Sequence, residues 1–326
     1  MKYDVVTFGS ATLDVFLKTR NFSFRKEKKF LSQKAVCFPF GSKADINDLA
    51  FRTGGGGTNA GAALALQGLK TVYCGMIASD FSGSEILKDL KRFGVDSSLV
   101  FKTDKAPTNF SVIFSWGPDR TAFVWRGASE LLQWSNVPQD EIIKARWFYL
   151  APFSGELVDL FEPLVNFAHK NKIRVFANLG NTQIDLGIKK LKPILKKIDI
   201  VLLNQEEASL LTKIAYQEEE KVFKKLDDWI DGLAIMTKGK GGVAASDGNY
   251  LYGVKSLPVK IVEKTGAGDA FGSGFLSAIL KGGDIETALQ LAVANAVSCI
   301  QELGAKQGLL KKGQTWEKVK VSKKKL

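Results

Sequence analysis

The chain has 326 residues, 45% hydrophobic and 25% charged, with 46 Lys and Arg against 34 Asp and Glu. That length can bury one large core as a single domain over residues 1–326, and no apolar run reaches the ~18 residues of a membrane span. One histidine cannot build a histidine metal cluster, and the three scattered cysteines form neither a CxxC pair nor an even framework, so the expectation is a reducing cytoplasm without structural zinc.

The N-terminal MKYDVVTFGS enters a strand-like run at once, unlike a signal peptide. Further β-rich runs follow at 71–78, 147–151, 173–178, 198–204 and 232–239, and the later ones are separated by helical patterns. Continuous apolar strands alternating with helices read as a parallel, doubly wound α/β sheet with right-handed crossovers. Two stretches break this rhythm. Residues 18–53 mix charge with β-type residues, and 108–126 alternate around a Gly-Pro-Asp turn, as a hairpin would. Both are expected in a small β lid formed by segments about 18–53 and 105–126. Near the C-terminus, helices are expected from Asp269 to a KGG stop at 281–283 and over 285–304.

The net charge of +12 raises nucleic acid as a partner. The lysines cluster at 25–29, 188–197 and in the last residues, and none is interleaved with aromatic residues as a stacking platform requires. Solvated faces and a loose tail are expected, with neither nucleic acid nor membrane as a partner. His169, at an expected helix end, reads as a solvated residue.

Two glycine clusters carry the chemistry. RTGGGGTNAGAALALQGL (52–69) fits G-x-G-x-x-A through Gly55, Gly57 and Ala60, with Asp80 at ribose-ligand distance, but the first strand does not deliver it as a dinucleotide fold would. No Walker A motif is present. KTGAGDAFGSGF (264–275) sets glycines around Asp269 where a helix begins, which makes an anion site of amides and helix dipole. An acid there fits a proton acceptor for a group attacking the anion; its plainer reading is a first-turn helix acid.

Together GGGGTNAGAALALQG and KTGAGDAFGSGFLSAIL resemble the two signatures of the ribokinase (PfkB) family of sugar and nucleoside kinases. GSATLD, LNQEEA and MTKGKGGV stand in matching order along nearly the whole chain. The resemblance implies a ribokinase-like fold and transfer of the ATP γ-phosphate, with Mg2+, to a hydroxymethyl group of a sugar. A nucleoside acceptor is the alternative, and a non-catalytic sugar or nucleotide sensor or a basic nucleic-acid-binding protein are the readings from other classes. It makes Asp269 the general base and Gly266, Ala267 and Gly268 the anion hole. Asp14, Gly55, Gly56 and Asn59 would hold the acceptor, and Arg126, at the end of the hairpin, would meet an anionic group on it, stack on a base or pair with Glu130. Asn204, Thr237, Gly239 and Gly242 would bind ATP, Glu207 the metal. A homodimer through the lid and a monovalent cation beside the anion hole complete the expectation.

Five positions depart from the family pattern. Gly56 replaces a frequent lysine, Glu263-Lys264 a usual Asp-Thr, and Gly308 a common serine near the cation. Val293 stands where an asparagine often lies by the adenine, with Asn295 two residues late.

Overall fold

The structure is a computed structural model that describes residues 1–29, 33–116 and 119–326. In chain order it runs β1 (Tyr3–Phe8), β2 (Thr12–Lys18), β3 (Ser23–Lys26), β4 (Lys34–Cys37), β5 (Asp48–Gly54), α1 (Gly56–Leu66), β6 (Thr71–Ala78) and α2 (Phe81–Arg92). Next come β7 (Val100–Thr103), β8 (Asn109–Trp116), β9 (Asp119–Trp125), α3 (Gln139–Ile142), β10 (Ala145–Leu150), α4 (Phe161–Lys170) and β11 (Arg174–Asn178). Then follow α5 (Asn181–Ile184), α6 (Ile188–Leu195), β12 (Ile200–Asn204), α7 (Gln205–Thr212), α8 (Glu219–Asp227) and β13 (Leu233–Thr237). The chain closes with β14 (Val243–Ser246), β15 (Tyr250–Val254), α9 (Ala267–Leu280), α10 (Ile285–Cys299) and β16 (Val321–Lys325).

Ten strands form the main sheet in the order β16-β15-β14-β13-β12-β11-β10-β1-β6-β7. It is parallel from β13 to β7, and β14, β15 and β16 add to it antiparallel. The strands are apolar at nearly every position because both faces are covered. Val6, Phe8, Phe148, Leu150 and Val175 enter one core layer with side chains of α4, α6, α7 and α8. Their neighbours Val5, Trp147, Tyr149 and Phe176 enter the other, with α1, α9 and α10.

A second sheet, β5-β2-β8-β9, stands beside the first. The hairpin at 108–126 forms as β8 and β9, while Gly117 and Pro118 of its expected turn lie outside the described residues. The sheet begins earlier than residue 18, since all of β2 belongs to it; β3 and β4 pair separately.

Two expectations are corrected. The helix from 285 ends at Cys299 rather than 304, where the Ile300 carbonyl accepts the amides of Val262 and Glu263 and turns the chain away. The lysine-rich tail is not loose. Val321–Lys325 pairs with β15 as an edge strand, with the Lys323 ammonium 4.3 Å from the Tyr250 ring centre and Lys324 paired to Glu220 at 2.6 Å.

Asn295, two residues past the expected position, is a structural staple instead. Its amide donates to the Ala270 carbonyl (2.7 Å) and accepts the Leu310 amide (2.9 Å), tying α9, α10 and the C-terminal segment together. Asn295→Leu leaves the buried Leu310 amide unpaired and removes a second bond from the Ala270 carbonyl, and should cost about 1–3 kcal/mol. Urea denaturation reads this directly, and an unchanged midpoint would remove Asn295 from the scaffold.

Candidate active site

The C-terminal ends of the parallel strands and the N-termini of α1 and α9 point into one crevice, the usual ligand position in an open α/β sheet. Both helices start on a glycine in the left-handed region, Gly55 at φ 92° and Gly266 at φ 82°. At 266 a side chain is excluded twice, because its Cβ would also lie 2.4 Å from the Cβ of Ala305.

Asp269 sits in the first turn of α9. Its Oδ2 accepts from Asn59 Nδ2 at 2.9 Å. Burial raises its carboxyl from the ordinary 3.8 to about 6, against the pull of Asn59, the Lys306 charge and Asn178. The Asn59 Oδ1 is buried without a partner among the described residues. A Cβ at Gly56 would stand 3.5 Å from Asp269 Oδ1 and 2.8 Å from the Ala151 Cβ, so glycine keeps the approach to the carboxylate open. Of the amides in this turn, that of Ala267 turns to the Lys264 carbonyl at 3.3 Å, while those of Gly266, Gly268 and Asp269 have no acceptor among the described residues.

Asp14 is buried on β2, and any Cβ at Gly54 of the neighbouring β5 would fall 2.1 Å from its Oδ2. Burial raises it to about 6, opposed by Ser111, Lys306 and Thr12. Lys306 was not singled out from the sequence. It is 1% exposed, bonds the Thr53 hydroxyl at 2.9 Å and lies 3.6 Å from Asp89 Oδ2. Desolvation lowers it to about 8, with Asp89 and Asp14 holding its charge and Arg92 opposing it. Only the packing of residues 303–306 on β5 buries it, with Arg52 Nε donating to the Leu303 carbonyl, and no local pattern signals that.

A cleft of about 940 Å³ opens beside the glycine turn that starts α9, within the range of ligand pockets. Thr237, Gly239 and Gly242 line its rim, Val293 and Phe271 its apolar wall, and Lys264, Ala267 and Gly268 its inner end. Val293, where the family resemblance expects an asparagine, is thus part of an apolar wall of this cleft. Asn204 caps α7, accepting the Glu206 and Glu207 amides, and Glu207 Oε2 takes the Asn204 amide in return at 2.7 Å. Burial raises Glu207 to about 7. Its second oxygen has no hydrogen bond among the described residues, so a half-buried carboxylate is available to a cation. No group of three or more metal-ligating side chains exists among the described residues.

Arg126 is exposed at the end of β9 and makes no ion pair with Glu130. Both side chains close over Gly155. At Gly308 a serine has no room, since a Cβ would lie 2.1 Å from the Ser298 carbonyl oxygen.

Residues 3–312 match the pfkB family carbohydrate kinase domain. The chain belongs to this family. As a pfkB kinase it is a phosphotransferase with an alcohol acceptor and ATP as co-substrate. A sugar kinase of Archaeoglobus fulgidus, described as uncharacterized, is 27% identical over 76% of this chain and 97% of its own length. A cytidine kinase of Thermococcus kodakarensis is 26% identical over 84% and 95%. The fold matches Arabidopsis thaliana ribokinase complexed with ribose and ATP at TM-score 0.76, with 22% identity, covering 95% of this chain and 96% of the other.

The two carboxyls give this kinase a pH signature. Each binds its proton more tightly in the folded than in the unfolded chain, so between pH about 4 and 6 the folded state holds more protons and these groups' contribution to stability falls as pH rises. Asp14→Asn should therefore gain on wild type across that window and level above it, by about 3 kcal/mol at most given ~1.4 kcal/mol per pKa unit. In a Lys306→Met background the gain should continue to higher pH. Urea midpoints over a pH series test both, and a flat difference would contradict the burial assigned to Asp14.

Proposed function

We propose that the kinase transfers the γ-phosphate of ATP to a hydroxymethyl group of a sugar, with Asp269 as general base. One observation carries the reading. A half-buried carboxylate with a raised pKa, held by Asn59, stands in the first turn of α9 beside the unpaired amides of Gly266, Gly268 and Asp269, next to the cleft that Ala267 and Gly268 line. Asp269 takes the proton as the acceptor oxygen attacks, and the amides stabilise charge on the transferring phosphoryl. Asp14 accepts two acceptor hydroxyls, Gly55 and Gly56 let the sugar approach the backbone, and Asn59 Oδ1 offers a further acceptor. Thr237, Gly239 and Gly242 support the nucleotide. Asn204 and Glu207 would hold Mg2+ through water, which when bound neutralises charge between the phosphates. Arg126, without an ion pair, reaches toward an anionic group on the acceptor. The cytidine kinase relative makes a nucleoside the second acceptor class.

The second sheet also supports a homodimer. Register puts Leu49, Phe51, Phe123 and Trp125 on its face away from Asp14, and each is at least 50% exposed. Exposed large apolar side chains on both edge strands of one sheet face are the kind of surface a second copy would cover. The three free cysteines suit a reducing cytoplasm, and no described helix is long and apolar enough to cross a membrane.

An ADP-release screen of sugars and nucleosides identifies the acceptor. With it, Asp269→Asn should lower kcat about 10²- to 10⁴-fold, the range of a general base, with nucleotide affinity little changed. A variant keeping a third of the wild-type kcat would end this assignment. Asp14→Ala should act mainly on KM and abolish preference for the hydroxyls it reads; equal KM values would place it outside the pocket.

A further inference from the structure

Glu263 opens the loop that carries the chain into α9, and it is only 6% exposed. Its Oε1 accepts the Lys264 amide (2.8 Å), the Thr265 amide (3.0 Å) and the Thr265 hydroxyl (2.9 Å), so this carboxylate shapes the approach to Gly266. A buried carboxylate needs a compensating charge. That charge is Arg120, whose Nη1 lies 2.9 Å from the same oxygen. Arg120 comes from β9 of the second sheet, opposite Ser115 of β8, and the Ser115 hydroxyl lies 3.5 Å from Oε2. Register puts both on the sheet face that carries Asp14 and Ser111.

The residues here do not fit the monovalent cation that the family resemblance implied. The Glu263 oxygen facing the loop is filled by four donors, one a full positive charge. Lys264 adds a second cation next to it, and Gly308 has no space for a ligating hydroxyl.

We infer that Arg120 is a positioning residue, the built-in counter-cation of the phosphate loop, so that transfer needs no monovalent ion and the loop is set by the second sheet. This rests on the kinase reading above. The guanidinium delivers its charge from the sheet that also supplies Asp14, so acceptor binding and loop geometry share one rigid body.

The experiment pairs kinetics with hydrogen exchange on the full chain. Wild-type kcat is measured in potassium, sodium and tetramethylammonium salts at constant ionic strength. The three rates should agree within about twofold, since the charge is already supplied. Arg120→Met should lose about 10- to 100-fold in kcat, as for a displaced positioning group. Its 264–266 amides should exchange faster, and added potassium or guanidinium should restore part of both. Arg120→Lys keeps the charge and should retain more of each. Tenfold or greater potassium activation of wild type overturns the inference, as does an Arg120→Met protein with wild-type kcat and exchange. If Arg120→Met does not fold, the wild-type salt series and Arg120→Lys decide. If no acceptor is phosphorylated by wild type, the kinase reading fails while the exchange rates still decide the latch.

Discussion

The crevice is organised around one desolvated negative charge, the carboxylate of the half-buried Asp269. Taking it out of water raises its proton affinity, and three separate elements offset that cost. Asn59 comes from α1, Asn178 from the end of β11, and Lys306 from the segment after α10. Lys306 is itself desolvated and needs Asp89 on α2 and Thr53 on β5 to keep its charge. The Asp269 carboxyl is therefore one end of a chain of desolvated polar groups that links α9 to the second sheet. Such a chain is favourable only while every member is paired, because each orphaned member would cost several kcal/mol.

The same dependence explains why residues 303–306 matter out of proportion to their length. Leu303 takes a hydrogen bond from Arg52, Ala305 fills the space over Gly266, and Lys306 enters the polar chain. This short loop clamps the glycine turn before α9 to the second sheet. Arg120 makes a further link from the sheet side through Glu263. The turn that opens α9 and the second sheet are thus joined at two places, through residues 303–306 and through the Arg120–Glu263 pair.

The glycines of α9 show how packing overrides local preference. Gly268, Gly272 and Gly274 each disfavour helix by about 1 kcal/mol relative to alanine. A Cβ at 272 would fall 2.4 Å from the Tyr149 hydroxyl, and one at 274 would fall 3.0 Å from the Ala292 Cα. The close approach they permit buries Phe271 and Phe275 almost completely, worth about 2–3 kcal/mol each. The balance favours the thin helix, which is what brings Asp269 against α1.

Much of the architecture was legible in residue order alone. The six core strands read from apolar runs all form, the run at 71–78 with unchanged limits, because a strand buried on both faces leaves a continuous apolar signature that needs no partner to be recognised. The glycine turns before α1 and α9 were legible for a similar reason. Positive φ and unpaired amides are local demands, and only glycine meets them cheaply. Long-range pairing was not legible. The lysine tail became an edge strand because β15 offered an open ladder, and Asn295 became a staple because α9 and the C-terminal segment converge on it. Lys306 and the Arg120–Glu263 pair join residues more than 140 positions apart, so their charges are set by burial between segments that sequence does not place side by side. Composition and local spacing determined which backbone turns could hold an anion; only the tertiary structure decided which charges would stand around it, because desolvation and pairing exist only once distant segments pack.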